Sequence, residues 1–276
     1  MSFDAETDRR LNLPPHIKGK GKPATVFDVF VDMRAKPESS VGIDTQLLLG
    51  AEVTVFNEEN GWALVKAKAD GYIGYVRTKT ISYVEPEPTH RIIVPRTILY
   101  AGPDMKLISV GAASLGSFVR VKSFTEIRGT NYANLIDGIT VIAKHLAPLE
   151  AHLSDPVSVA ETLIHTPYLW GGTSAFGIDC SGLVQLCFAM CGHKVLRDTD
   201  MQAATIGMPI AKADLKRGDL IFWKGHVAFY RGDGTIIHAN GHTMSVAIEG
   251  LDEAISRIGY LYGAPTSFVR VAIPNV

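Results

Sequence analysis

Cys180 stands in Asp179-Cys-Ser-Gly182, directly before the apolar run Leu183, Val184, Leu186, Cys187, Phe188, Ala189, Met190 and Cys191. Such a run predicts a helix over 180–191, buried on most sides, with Asp179 or Cys180 in its first turn. A thiol at a helix start faces unpaired backbone N–H groups and the positive end of the helix dipole. Both favour the thiolate, the nucleophilic form of cysteine. The plainer alternative is a small buried apolar residue. Nucleophilic catalysis also needs a base and a group that orients the base. His226, in Gly225-His-Val-Ala-Phe-Tyr230, and His238, in Gly234-Thr-Ile-Ile-His-Ala239, lie on two expected strands joined by Gly232-Asp-Gly234. With Arg231–Asp233 as the turn, residues whose numbers sum to about 464 face each other, which sets His226 opposite His238. Both then project from one face towards the start of the Cys180 helix. His226 would be the base, and His238 would hold its tautomer and stabilise its charged form. Two alternatives stay open: ordinary structural histidines, or a zinc site, since thiolate and imidazole suit that metal. No fourth ligand has a convincing spacing, although His242 and Asp179 are near in sequence. Asp179 itself opposes a neighbouring thiolate. That conflict disappears if its carboxylate meets a cation in the cleft; otherwise it is a helix cap.

The elements that must position these residues follow from the same stretch of chain. Ser154-Asp-Pro156 starts a helix on which Val157, Ala160 and Ile164 recur on one face, and Pro167 ends it. The loop Tyr168–Ile178 precedes the Cys180 helix, and a polar segment, Lys194–Gln202, follows it. Leu215–Trp223 reads as a turn feeding the first of three antiparallel strands. Helices first and a meander afterwards make an α+β domain.

The N-terminal half reads differently. Residues 1–24 are a polar, basic, extended lead-in. Val26–Val31, Gly50–Val55, Trp62–Val65 and Tyr72–Val76 are short strands rich in β-branched and aromatic residues. They predict a small all-β barrel over 25–86, and Pro86-Glu-Pro88 reads as a rigid linker. Gly116-Ser-Phe-Val-Arg-Val121 then repeats Gly50-Ala-Glu-Val-Thr-Val55, and Pro103 repeats Pro37. Two tandem copies of one fold are expected, the second over 88–147. Only the first carries the Gly71-Tyr-Ile-Gly-Tyr75 tip, so it would make substrate contacts and the second would be a spacer.

With 276 residues, 46% hydrophobic and 20% charged, the chain suits two or three folded domains. Net charge is −1 from 27 basic and 28 acidic residues, which argues against a nucleic-acid surface or a polybasic membrane patch. No apolar run approaches the ~18 residues of a membrane span. The three cysteines crowd into 180–191 and imply no disulfide framework, which fits a reducing compartment. The absence of an apolar leader segment in the N-terminal residues points to the cytoplasm.

Tyr168-Leu-Trp-Gly-Gly172, Asp179-Cys-Ser-Gly182, Arg217-Gly-Asp219, Gly225-His-Val-Ala228 and Ile237-His-Ala239, in this order, resemble the NlpC/P60 family of cysteine peptidases. The resemblance covers the C-terminal half, and the combination is highly specific. Tandem bacterial SH3-like domains ahead of it resemble the γ-D-glutamyl-L-diamino acid endopeptidases of murein recycling. The implied architecture is a papain-like catalytic domain over 149–276 behind two SH3-like barrels. The implied nucleophile is Cys180, with His226 as base and His238 as orienting third member. Asp179 would bind the free ammonium of the substrate alanine, with Asp44 as a second acidic contact. Tyr168, Trp170 and Ser181 would line the pocket, and Arg197-Asp198-Thr199 would wall it near the D-Glu carboxylate. Tyr72 would close the substrate end. The implied reaction cuts the γ-D-Glu–diamino acid bond of murein tri- and tetrapeptides, releasing L-Ala-γ-D-Glu, with no metal or other cofactor. Hydrolysis of intact wall, acyl transfer and non-catalytic peptide binding are the rival readings. A monomer is expected, and the diamino acid, meso-diaminopimelate or lysine, is left open.

Overall fold

A computed structural model describes residues 3–83 and 87–272, so Pro86 of the expected linker lies outside the described residues. The chain divides into a unit over Glu6–Ala151 and a second that begins at His152 and takes in residues 3–5.

The first unit is all β apart from two single 3₁₀ turns. Its strands run Lys22–Val26, Phe30–Met33, Thr45–Leu48, Glu52–Glu59, Trp62–Ala67, Ile73–Arg77 and Ile81–Ser82, with a 3₁₀ turn at Thr78–Thr80. The same order follows in His90–Ile92, Arg96–Tyr100, Ser109–Ser114, Phe118–Val119 continued by Val121–Ile127, Thr130–Leu135, Thr140–Ile142 and Leu146–Pro148, with a 3₁₀ turn at Ala143–His145. Pairings repeat as well. In each copy the long fourth strand pairs antiparallel with the first and the fifth, the first pairs with the last, and the second pairs with the third. Alternation explains the burial: Val53 and Val55 are enclosed while Glu52, between solvent and sheet, is exposed. In the second copy Ile92, Leu99, Ala113, Val119, Ala133, Leu135, Val141 and Leu146 form the core.

Two expectations for this unit need correction. Val26–Val31 is not one strand: Val26 ends the first and Phe30 begins the second. Between them Phe27 N–H donates to Thr80 O, and Leu49 N–H donates to Val29 O, so the chain crosses from one sheet to the other. Hydrophobic content alone could not reveal that crossing. The lead-in is not simply extended either. Residues 8–12 form a turn closed on Asp8 O, and Ile73 N–H donates to Arg10 O at 2.7 Å, tying this segment to the barrel.

The second unit is α+β. Its helices are α1 (Pro156–Thr162), α2 (Cys180–Met190), α3 (Thr199–Thr205) and α4 (Leu251–Tyr262). A six-stranded antiparallel sheet runs in the order 208–209, 267–270, 220–223, 226–230, 235–240, 245–250. Asp155 caps α1, accepting from Val157 N–H, with Pro156 at the first helical position. The helix stops at Thr162, well before Pro167, and His165 adopts a left-handed φ of 68°. Helix α2 lies on the 226–230 and 235–240 strands, where Phe188 meets Phe229 at 5.5 Å between ring centroids. Helix α4 covers Ile221, Trp223, Ala228 and Ile236 through Leu251, Ala254 and Ile258. Helices α3 and α4, and the strand over 245–250, were not anticipated from the sequence. The segment of α3 is too polar to announce a helix, and α4 follows its strand with no spacer.

Gly50 tests the packing of the first unit. Its φ is 78°, and a β-carbon there would drive into the main chain of Phe118. Gly50→Ala is expected to lower the stability of that unit by about 1–3 kcal/mol, read as a lower melting transition by calorimetry.

Candidate active site

The start of α2 is built by glycines and one carboxylate. Asp179 caps the helix, its Oδ1 accepting from Gly182 N–H at 2.7 Å. Its Oδ2 accepts from Gly171 N–H at 2.9 Å. Gly171 has a φ of 76°, which a side chain would strain. A β-carbon on Gly182 would strike the carbonyl oxygen of Gly172, so the loop and the helix touch backbone to backbone. The left-handed φ thus accounts for Gly171, this contact for Gly182, and close approach to the Gly177–Ile178 main chain for Gly172.

Arg197 locks the same corner. Its Nη1 donates to Asp179 Oδ1 at 3.0 Å and Nη2 to Oδ2 at 2.7 Å. Nη1 also donates to Ser181 Oγ at 2.8 Å. The Arg197 side chain is fully enclosed, and that of Asp179 is 11% exposed. Gln202 of α3 ties in by donating to the Ser181 and Leu196 carbonyls. Asp179 is thus a helix cap whose charge is met by a buried guanidinium of the protein itself. Arg197 is a buried partner of the helix cap, and Ser181 belongs to the same network. Asp198 is the cap residue of α3, although its side chain makes no capping bond.

Cys180 is enclosed, at 6% exposure. Its Sγ lies 3.8 Å from Thr199 Oγ1 and 4.0 Å from Gly225 O, and the Val227 N–H points at it. The thiol thus rests against the main chain on either side of His226. Burial, then the Asp179 carboxylate, push its pKa up to about 11. Burial and the neighbouring carboxylate thus oppose the thiolate that the helix start favours.

The two histidines are brought together, with a different register from the one expected. Phe229 pairs with Ile237 and Tyr230 with Ile236, while Arg231 N–H closes the turn on Thr235 O. Pairing is displaced by two residues, so His226 and His238 are diagonal neighbours on one face instead of direct opposites. Parity keeps the contact: His226 Nε2 lies 2.7 Å from His238 Nδ1. By the same parity this face carries Ala228 and Ile236 under α4, whereas Phe229 meets α2. The thiol therefore lies against the strand main chain at Gly225 and Val227, not on the sheet face that carries the two imidazoles. Trp223 packs beside His226, 5.7 Å between ring centroids. Burial first, and His238 second, take the His226 pKa down to about 3.

Beyond His238 lies a carboxylate the sequence did not announce. Glu249 Oε1 is 2.8 Å from His238 Nε2, an ion-pair distance without the alignment of a full hydrogen bond. Arg257 of α4 pairs with the same carboxylate. Only the Ser245–Gly250 alternation could have hinted at Glu249, and no motif spacing marks it.

The remaining expected residues differ in setting. Tyr168 is partly enclosed and feels Cys180 and Asp179, which with burial raise its phenol pKa. Trp170 is 70% exposed. Tyr72 and Asp44 belong to the first unit. There Tyr72 is buried, its N–H on Asp70, and Asp44 pairs with Arg9 at 3.2 Å. Among the described residues no group of three or more His, Cys, Asp or Glu side chains is arranged to hold a metal ion. No helix among them is long and apolar enough to cross a membrane.

Two outcomes follow from this chemistry. Asp179→Ala removes a cap and strands a buried guanidinium, so a loss of about 3–5 kcal/mol is expected in denaturant unfolding of the second unit. An unchanged unfolding midpoint would contradict the buried pair. Both histidines are held below their ordinary 6.5, so their contribution is whole above that pH and is lost as pH falls towards 3. Glu249, its carboxyl taken down to about 2 by the His238 and Arg257 contacts against the opposing effect of burial, acts in the same direction below 4.5. The melting temperature of this unit should fall on acidification from about pH 6.5; a flat profile would contradict that arrangement.

Comparison with known proteins agrees with this layout. The NlpC/P60 family profile matches residues 165–261, and a bacterial dipeptidyl-peptidase SH3 domain profile matches 33–81. A gamma-D-glutamyl-L-lysine dipeptidyl-peptidase of Bacillus cereus is 31% identical over 75% of this chain and 70% of its own. The protein of that name in Bacillus subtilis is 28% identical over 77% of each. The crystal structure of an NlpC/P60 family protein from Bacillus cereus superimposes with a TM-score of 0.77 at 25% identity, covering 92% of this chain and all of that one. With the catalytic-domain profile and a relative 31% identical over most of both chains, the chain belongs to the NlpC/P60 family of peptidases.

Proposed function

We propose that this hydrolase cuts the γ-D-Glu–diamino acid bond of murein peptides with a free N-terminal L-alanine, releasing L-Ala-γ-D-Glu. The observation that carries the reading is the thiol of Cys180 against the main chain of Gly225–Val227, with His226 held by His238. The names of the two Bacillus relatives support the substrate class.

In this reading both partners start neutral. Cys180 Sγ attacks the γ-carbonyl carbon as its proton passes to His226, so proton transfer accompanies attack and no resting ion pair is needed. The oxyanion is met by backbone N–H groups at the start of α2, where Cys180 N–H has no intrahelical partner. The protonated His226 returns its proton to the departing amine of the diamino acid, leaving a thioester of L-Ala-γ-D-Glu on Cys180. Water then adds to the thioester, His226 takes its proton, and the sulfur leaves as the thiol. Asp179, with Arg197 already balancing its charge, and Ser181 are the groups assigned to the alanine end. Tyr168, Trp170 and Thr199 are assigned to the pocket. The role in this reading is recycling of wall peptides in the cytoplasm.

Mass spectrometry of L-Ala-γ-D-Glu-L-Lys and the meso-diaminopimelate analogue after incubation should show the released dipeptide. Cys180→Ala should abolish it while the fold is kept. N-acetylation of the alanine should lower the rate by about a hundredfold, the weight of one charge-assisted contact. Equal rates on free and acetylated peptides would overturn the amine requirement, and turnover by Cys180→Ala would overturn the thiol mechanism.

A further inference from the structure

His226 Nε2 and His238 Nδ1 are 2.7 Å apart and share a single proton. Which ring carries it decides whether His226 has a free lone pair for the thiol. If His238 carried the proton on Nδ1, its bare Nε2 would face Glu249 Oε1 at 2.8 Å with no hydrogen between them. His226 would then keep its own proton on Nδ1 and could take none from sulfur. If His238 is protonated on Nε2 instead, that N–H faces a carboxylate and Nδ1 is an acceptor. His226 must then donate from Nε2, and its Nδ1 is left as the basic nitrogen.

We infer that Glu249 is a positioning residue that fixes His238 as the Nε2–H tautomer and, through it, makes His226 Nδ1 the base. This rests on the peptidase reading above. Glu249 does not touch the reacting atoms; it acts through His238. It faces Ile236 in the ladder and lies two residues along from Ala247, the partner of His238, so strand parity places carboxylate and imidazole on one face. The His238 side chain is wholly enclosed, so no water competes for Nε2. Arg257 holds Glu249 through Nε at 3.3 Å and through Nη2.

The charged and titratable groups around the pair are few. The 226–230 strand contributes His226, the 235–240 strand His238, and the 245–250 strand Glu249. Helix α4 contributes Arg257, and the loop after Asn240 contributes His242. The 220–223 strand contributes uncharged Trp223. After burial, Arg257 disfavours a proton on either ring, His238 disfavours one on His226 and His242 one on His238, whereas Glu249 favours a proton on both. Arg257 keeps Glu249 ionised and aimed; Glu249 offsets the positive charge when the thiol proton arrives on His226. The sequence pattern Cys, His, His thus ends in an acid that no motif spacing reveals.

Glu249→Gln keeps shape and removes charge, and Glu249→Asp keeps charge. On L-Ala-γ-D-Glu-L-Lys, Glu249→Gln should lose on the order of 10- to 100-fold in kcat with KM little changed. The acid limb of its kcat/KM profile should move to lower pH. Glu249→Asp should recover part of the rate and the wild-type limb. Imidazole ¹⁵N spectra of folded protein without substrate should show His238 as the Nε2–H tautomer in wild type and a tautomer mixture in Glu249→Gln. An unchanged limb, or the same His238 tautomer in both proteins, would overturn the inference. Absence of turnover by wild type would instead defeat the peptidase reading, and the spectra would still decide the tautomer.

Discussion

The buried pair between Asp179 and Arg197 is the interaction on which the site depends. It joins the Trp170–Gly172 loop, the first turn of α2 and the segment leading into α3 through a single carboxylate. A buried ion pair contributes little net stability when both members are present, but removing one leaves the other without solvent or partner. The pair therefore acts mainly as a constraint on geometry. It fixes where the helix begins, and with that where Cys180 Sγ sits relative to Gly225 and Val227. The glycines fit this corner, since a β-carbon at Gly182 would strike Gly172 O and one at Gly172 would strike the main chain of Gly177 and Ile178.

Enclosure sets the chemistry. The same packing that positions the thiol strips it of hydration and raises its pKa, while burial lowers that of His226. Desolvation also strengthens every charge that remains, so the line from His226 through His238 to Glu249 and Arg257 holds a tautomer in place of a standing ion pair. Such a site spends its electrostatic interactions on the charge that develops during reaction.

Much of this was legible in the residues because local chemistry dictates it. An acid and a cysteine before an apolar run predict a buried helix, and two histidines flanking a Gly-Asp-Gly turn predict one hairpin. The repeat of the barrels was visible for the same reason: Gly50 and Gly116 both take left-handed φ values at equivalent turns. What escaped depends on pairing and burial. The hairpin register slipped by two residues because the turn is centred on Asp233, one residue beyond the Gly232 centre that its sequence implied. The raised pKa of Cys180 was not legible because burial is a property of the packed fold. The burial of Arg197 against Asp179 likewise belongs to the packed fold and not to its local sequence. Glu249 is invisible at the level of motifs, since only the 245–250 strand laid against His238 gives it a function.

The central claim is that Cys180 Sγ carries the dipeptide during turnover. Rapid-quench mass spectrometry of intact protein mixed with L-Ala-γ-D-Glu-L-Lys tests it most directly. The expected result is a transient adduct of one L-Ala-γ-D-Glu group, mapped by digestion to the peptide containing Cys180 and absent from Cys180→Ala. Product release by a Cys180→Ala protein, or an adduct on another residue, would contradict it.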